Sequence, residues 1–233
     1  MTPLRLLDLF SGIGGFSLGL ERSGAFKTVA FCEIEPFPRK VLAKHWPDVP
    51  IYDDVRTLTA ERLAADGIGV DAICGGFPCQ PFSSASRGRR VAIDLWAEFL
   101  RLVIELCPRI VVGENVQEVV LKRCAYEFER IGYRTVVRRI GADDCGADHQ
   151  RSRWWVCAYT DDQSELFGRI NAEMAVLPAL CRSVWGAENY ARAIRVPDGV
   201  PNRVDRLTAL GNAVVPQIPE LIGRAIAASM EAA

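Results

Sequence analysis

The chain predicts an α/β fold, a mostly parallel twisted sheet with helices on both faces. Three observations carry this expectation. Short Val-, Ile- and Leu-rich runs alternate with stretches whose apolar residues recur at helical spacing. Glycine- and proline-rich turns stand at the ends of several of these runs. A length of 233 residues with 49% hydrophobic content suits one main domain, at most with a small appendage.

Residues 4–10 read as a buried strand, 11–14 as a tight turn and 15–21 as the start of a helix. Further strands are expected at 28–32, 70–74, 110–113, 134–140 and 154–159, and helices at 37–45, 93–107 and 119–131. In the helix at 93–107, apolar residues at 95, 96, 99, 100, 103, 104 and 106 share helical spacing, and Pro108 stops the run. A last helix is expected at 218–230, after a loop at 211–217. Residues 160–205 have weak periodicity and predict a small second lobe. Ligands of such a sheet bind beyond the carboxyl ends of its strands, where the glycine, proline and cysteine motifs fall.

A net charge of −1 announces no polyanion partner, but the cations are 24 Arg against 4 Lys. Arginines cluster at 87, 89 and 90, at 138 and 139, and at 151 and 153. Arginine forks match phosphates and base edges better than lysine does, so composition leaves nucleic acid open. The eight cysteines form no Cys-x-x-Cys pair and no Cys/His cluster of zinc spacing, which predicts reduced, mostly buried thiols and no metal. Met1 runs directly into a strand, and no apolar run reaches the ~18 residues a spanning helix needs, so a soluble, non-exported protein is expected.

The segment Gly75-Gly76-Phe77-Pro78-Cys79-Gln80-Pro81-Phe82-Ser83 holds a cysteine between two prolines in a glycine-opened turn, which suits the display of a nucleophile. Thirty-five residues on, Gly113-Glu114-Asn115-Val116 ends another apolar run and brings a carboxylic acid to the same edge of the sheet. A strand followed by Gly12-x-Gly14-Gly15 and a helix aims N–H groups at an anionic group, or is an ordinary glycine turn. Glu33 and Asp54, at the ends of the second and third strands, either bind a nucleoside's hydroxyl and amino groups or are solvated strand ends.

Together with Asp8-Leu9-Phe10-Ser11-Gly12-Ile13-Gly14-Gly15-Phe16, these motifs closely resemble those of the DNA cytosine-5 methyltransferases, over nearly all of the chain apart from residues 160–200. The resemblance implies a Rossmann-like methyltransferase domain at 1–160 and 206–233, with a reduced target recognition region at 161–205. It implies S-adenosylmethionine as cofactor, lined by Phe10, Ser11, Gly12, Gly14, Gly15, Glu33, Ile34, Asp54, Val55, Pro78, Leu95, Asn212 and Ala213.

The implied reaction is methylation of C5 of a flipped-out cytosine in double-stranded DNA, with Cys79 bonding to C6 and Glu114 giving a proton to N3. Asn115 is expected to hold the turn rather than touch the base. Residues 146–153 resemble the family's Gly-x-Pro-Gln-x-Arg-x-Arg motif, with Asp148 and His149 in place of proline and glutamine. Arg151 and Arg153 are expected to point together, toward cytosine O2 and the local phosphate. Gln80, Ser83, Arg87, Arg89 and Arg90 would contact DNA. About fifty residues separate the arginine pair from the closing segment Arg203-Val204-Asp205-Arg206-Leu207, few for reading several base pairs, so two expectations stand: loose sequence choice, or sequence choice supplied by a second subunit. The expected location is a bacterial or phage-infected cytoplasm, at the nucleoid, in a DNA methylation or restriction–modification setting. Alternatives are an RNA cytosine-5 methyltransferase and an inactive DNA-binding regulatory homologue. Cys79-Gln80-Pro81-Phe82-Ser83 argues against the first, and the intact Cys79, Glu114, Arg151, Arg153 and Asn212 argue against the second.

Overall fold

A computed structural model describes residues 2–78, 95–145, 147, 149–160, 168, 172 and 203–231, with the backbone alone for 203–207 and 231. Seven strands form one sheet in the order β3-β2-β1-β4-β5-β7-β6. These are β1 (Leu4–Leu9), β2 (Phe26–Cys32), β3 (Ile51–Tyr52), β4 (Ala72–Gly76), β5 (Ile110–Asn115), β6 (Tyr133–Ile140) and β7 (Arg153–Thr160). All neighbouring pairs are parallel except the two made by β7, which runs antiparallel to β5 and β6. The chain builds outward from β1 to β2 and β3, then crosses back to β4 and β5. The order therefore reverses between β1 and β4, and the carboxyl ends of these strands open the crevice in which such sheets bind ligands.

Alternation along β1 sorts side chains to the two faces. Leu4 and Leu6 join one buried cluster, with Phe16 and Leu20 of α1 (Gly15–Arg22) and Ile218, Leu221, Ile222 and Ile226 of the last helix. Leu7 and Leu9 join the other, with Leu63 of α3 (Ala60–Ala65), Phe99, Leu102 and Val103 of α4 (Trp96–Leu106) and Leu121, Cys124 and Phe128 of α5 (Glu118–Arg130). The expected two-sided cover is present. Helix α2 (Pro36–His45) begins with proline in its first turn, where the missing N–H costs nothing. The chain closes with α6 (Arg203–Asn212) and α7 (Gln217–Glu231).

Several boundaries differ from the sequence expectation. The strand expected at 70–74 runs from Ala72 to Gly76, so Gly75 and Gly76 belong to the sheet and do not open the turn. They are needed for close approach: a Cβ on Gly75 would lie 2.5 Å from Leu9 O, and one on Gly76 would lie 3.1 Å from Glu114 Oε2. The expected loop at 211–217 is shorter, because Gly211 and Asn212 close α6. Helix α3 lies between motifs and is too short for its periodicity to register. Cys107, expected among buried thiols, is exposed at the end of α4 with φ 45°, whereas Cys32, Cys74, Cys124, Cys145 and Cys157 are buried.

Candidate active site

At the end of β1 the backbone turns sharply. Phe10 has φ 54°, a left-handed conformation uncommon outside glycine, and is held there by the structure around it. Gly12 follows with φ 53° and nothing within 4 Å of where a Cβ would stand, so one face of the turn is open. The other face is clamped. Ser11 Oγ donates to Asp8 O at 2.6 Å, Gly14 N–H donates to Ser11 O at 2.9 Å, and Gly12 N–H donates to Glu33 Oε2 at 2.7 Å. Glu33 Oε1 accepts the Glu35 N–H at 2.8 Å, which leaves the remaining lone pairs of a nearly buried carboxylate for a ligand.

Helix α1 has Gly14 as its N-cap, without a side-chain cap from that residue, and the Ser17 N–H of its first turn donates to Asp8 Oδ2 at 3.3 Å. The Gly15 and Phe16 N–H groups at the helix start suit an anionic group. Ile34, 58% exposed beside Glu33, offers an apolar surface of the size of a base. Open glycine, carboxylate, exposed isoleucine and the helix start together fit an amino-acid-bearing nucleoside such as the expected cofactor.

Asp54 and Val55 form the next wall. Arg56 binds Asp54 in a fork, with Nε 2.9 and 3.0 Å from the two oxygens, and this holds the carboxyl below its ordinary range. Val55 O accepts from Arg101 Nη2 at 2.9 Å, as does Leu58 O, so α4 fixes the turn after β3. Arg101 has no sequence signal, since one arginine in an apolar helix reads as a solvated position.

Glu114 stands at the end of β5, opposite Gly76 in the parallel register. Burial pushes its carboxyl up to about 7, against the pull of Arg153 and then Arg151. Arg153 Nε lies 3.0 Å from Glu114 Oε1. A carboxyl poised near neutrality can deliver a proton and take it back. Next to it, Asn115 Nδ2 donates to Phe77 O at 3.2 Å, and Asn115 Oδ1 accepts the Gln117 N–H at 3.0 Å. Phe77 itself is buried against Trp96 and Phe99, with ring centroids 5.0 and 5.9 Å away. The stretch entering Pro78 is thus anchored by an aromatic cluster on one side and by an amide on the other, as expected of Asn115.

The arginine pair flanks Glu114 but divides its partners. Arg153 contacts the acid, whereas Arg151 Nη2 donates to Gly211 O at 2.7 Å and Ala213 O at 2.8 Å. Their hydrogen-bond partners differ, but both guanidiniums are close enough to Glu114 to pull on its carboxyl. Leu95 is half-buried at the head of α4, and Asn212 is exposed at the end of α6. Cys79, Gln80, Ser83, Arg87, Arg89 and Arg90 lie outside the described residues, as do all but Gly168, Ala172 and 203–205 of the expected lobe at 161–205. Beneath the site, Asp8 is fully buried and accepts Ser17 Oγ at 2.7 Å, and burial raises its carboxyl to about 7. Among the described residues no His/Cys/Asp/Glu group is arranged to hold a metal, and no helix is long and apolar enough to cross a membrane.

Residues 4–179 match the family model of the C-5 cytosine-specific DNA methylases. The Type II methyltransferase M1.HphI of Haemophilus parahaemolyticus is 36% identical over 165 residues, 64% of this chain and 44% of that protein. The chain spans about half or less of the length of the curated relatives it matches. A solved prophage-encoded protein of E. coli is 32% identical and superposes with a TM-score of 0.58 over 70% of this chain and 50% of its own. The fold is shared with DNMT2 of Spodoptera frugiperda at 20% identity, with a TM-score of 0.59 over 69% of this chain and 51% of that one.

Proposed function

Because this chain belongs to the C-5 cytosine-specific DNA methylase family, we propose that it transfers a methyl group from S-adenosylmethionine to C5 of a cytosine in double-stranded DNA. The observation that carries the reading is the Glu114 carboxyl, raised to about 7 and aligned with the strand end that leads through Phe77 and Pro78 to Cys79. C5 of cytosine is a weak nucleophile and needs activation. The Cys79 thiolate adds to C6, the C5=C6 electrons shift toward N3, and Glu114 gives N3 its proton. The cofactor, when bound, supplies a methyl group on a positively charged sulfur. As C5 forms its new bond, N3 returns its proton to Glu114. A base then removes the C5 proton, the C6–S bond breaks and the ring double bond is restored.

The chain's own residues would hold the cofactor through the open face of Gly12, the lone pairs of Glu33, the apolar surface of Ile34 and the N–H groups at the start of α1. A stacked base cannot reach the sulfur, so the reaction requires extrusion of the cytosine. Gln80, Ser83, Arg87, Arg89 and Arg90 are assigned to the DNA around the vacated position, and residues 161–205 to a reduced recognition region. Bisulfite sequencing of DNA from cells expressing the chain tests the reading. Unconverted cytosines in a recurring sequence context support it. Conversion equal to that in cells with empty vector overturns it, and protection confined to RNA would assign the other substrate.

A further inference from the structure

We propose that Arg151 is a positioning residue, a strut that holds the Asn212–Ala213 wall of the cofactor site in place. The proposal rests on the reading that this wall borders the S-adenosyl cofactor. A single nitrogen, Nη2, takes both the Gly211 and the Ala213 carbonyls, at 2.7 and 2.8 Å, across 60 and 62 positions of sequence. These carbonyls flank Asn212, the last residue of α6, where a helix leaves acceptors without partners and its dipole favours a cation.

The same segment is gripped from its other side by glycines of α1. A Cβ on Gly15 would lie 2.5 Å from Val214 O, and one on Gly19 would lie 2.2 Å from Pro216 O. Residues 211–216 are therefore clasped between the helix that follows the glycine turn and the Arg151 guanidinium. The two arginines thus have different hydrogen-bond partners, Arg153 the acid and Arg151 the wall at 211–213, although both charges act on the Glu114 carboxyl. Only Nη2 of Arg151 is engaged in this way, and Nε and Nη1 keep their donors.

The test compares Arg151→Met, Arg151→Lys and Arg153→Met with the unaltered chain. Two quantities are read: calorimetric affinity for S-adenosylhomocysteine, and amide hydrogen exchange of residues 208–216 without ligand. Arg151→Met is expected to weaken binding roughly tenfold or more, on the scale of two lost hydrogen bonds, and to speed exchange in 208–216. Arg151→Lys recovers part of both, because one ammonium can meet two carbonyls but its stem is one bond shorter. Arg153→Met stays within about twofold of the unaltered affinity and leaves the exchange unchanged. Equal affinity in Arg151→Met and the unaltered chain, or equal losses from both methionine variants, overturns the strut. If the unaltered chain binds no S-adenosylhomocysteine, the cofactor reading fails. The exchange comparison then still decides whether Arg151 holds this segment.

Discussion

Glu33 and Glu114 stand at carboxyl ends of strands in the same sheet, and the chain handles them in opposite ways. Glu33 accepts two main-chain N–H groups, from Gly12 and Glu35, which are neutral donors fixed by the backbone. Glu114 is half-buried with an ion-pair contact to Arg153, and its loss of hydration outweighs that charge. A carboxylate bound by backbone amides holds a loop in shape. A carboxyl that must gain and lose a proton is kept from such donors and is tuned by burial against a cation. Under the proposed function, the Glu33 half of the site serves position and the β5 half proton exchange.

The largest test of this division removes the sulfur that the acid is proposed to serve. Cys79→Ser is expected to abolish methylation while S-adenosylhomocysteine affinity stays unchanged, as read by methyl incorporation and calorimetry. Normal turnover in that variant would exclude covalent catalysis. The next largest effect falls on Glu114 itself. Glu114→Gln should slow single-turnover methylation by roughly 10²-fold or more. Donation requires the protonated carboxyl, so the wild-type rate should fall as pH rises above about 7, and this alkaline limb should vanish in the glutamine variant. An unchanged single-turnover rate would remove Glu114 from the mechanism.

Most of the sheet was legible because its apolar runs are short and end at glycine or proline. The strands 134–140 and 154–159 matched β6 and β7 within one residue at each end, and the helices at 37–45 and 119–131 matched α2 and α5 equally closely. What failed to show was contact. Gly75 and Gly76 read as turn residues, because only Leu9 O and Glu114 Oε2 reveal that both belong to a crowded strand. The role of Arg151 was likewise hidden, since its acceptors lie 60 and 62 residues away and carry no side-chain signature. A main-chain carbonyl cannot be recognised from a residue type.

A smaller effect appears in stability. The Glu114 carboxyl is raised from its ordinary value of 4.5 to about 7, and Asp8 from 3.8 to about 7. The folded chain therefore binds more protons than the unfolded chain between about pH 4 and 7. Stability should fall as pH rises through that window and level off above it. Glu114→Gln should flatten this slope by an amount on the order of 1–3 kcal/mol in urea unfolding between pH 5 and 8. An identical pH slope in the variant would mean that Glu114 is not held near neutrality by its surroundings.

The smallest expected effects lie on the positional side. Asp54 already carries Arg56 on both oxygens, so a hydrogen bond from a cofactor amino group would be one of several it accepts. Asp54→Ala should therefore weaken S-adenosylhomocysteine by only about threefold to tenfold, the scale of one net hydrogen bond. Phe10→Ala should cost a similar factor, because it removes an apolar wall while Glu33 still clamps the turn through Gly12. Neither substitution should change the pH at which the alkaline limb begins, since neither residue is among the groups that set the Glu114 carboxyl. Equal affinity in the wild type and both variants would dissolve the pocket assignment. A shifted limb would show that the two halves of the site are less separate than their hydrogen bonds imply.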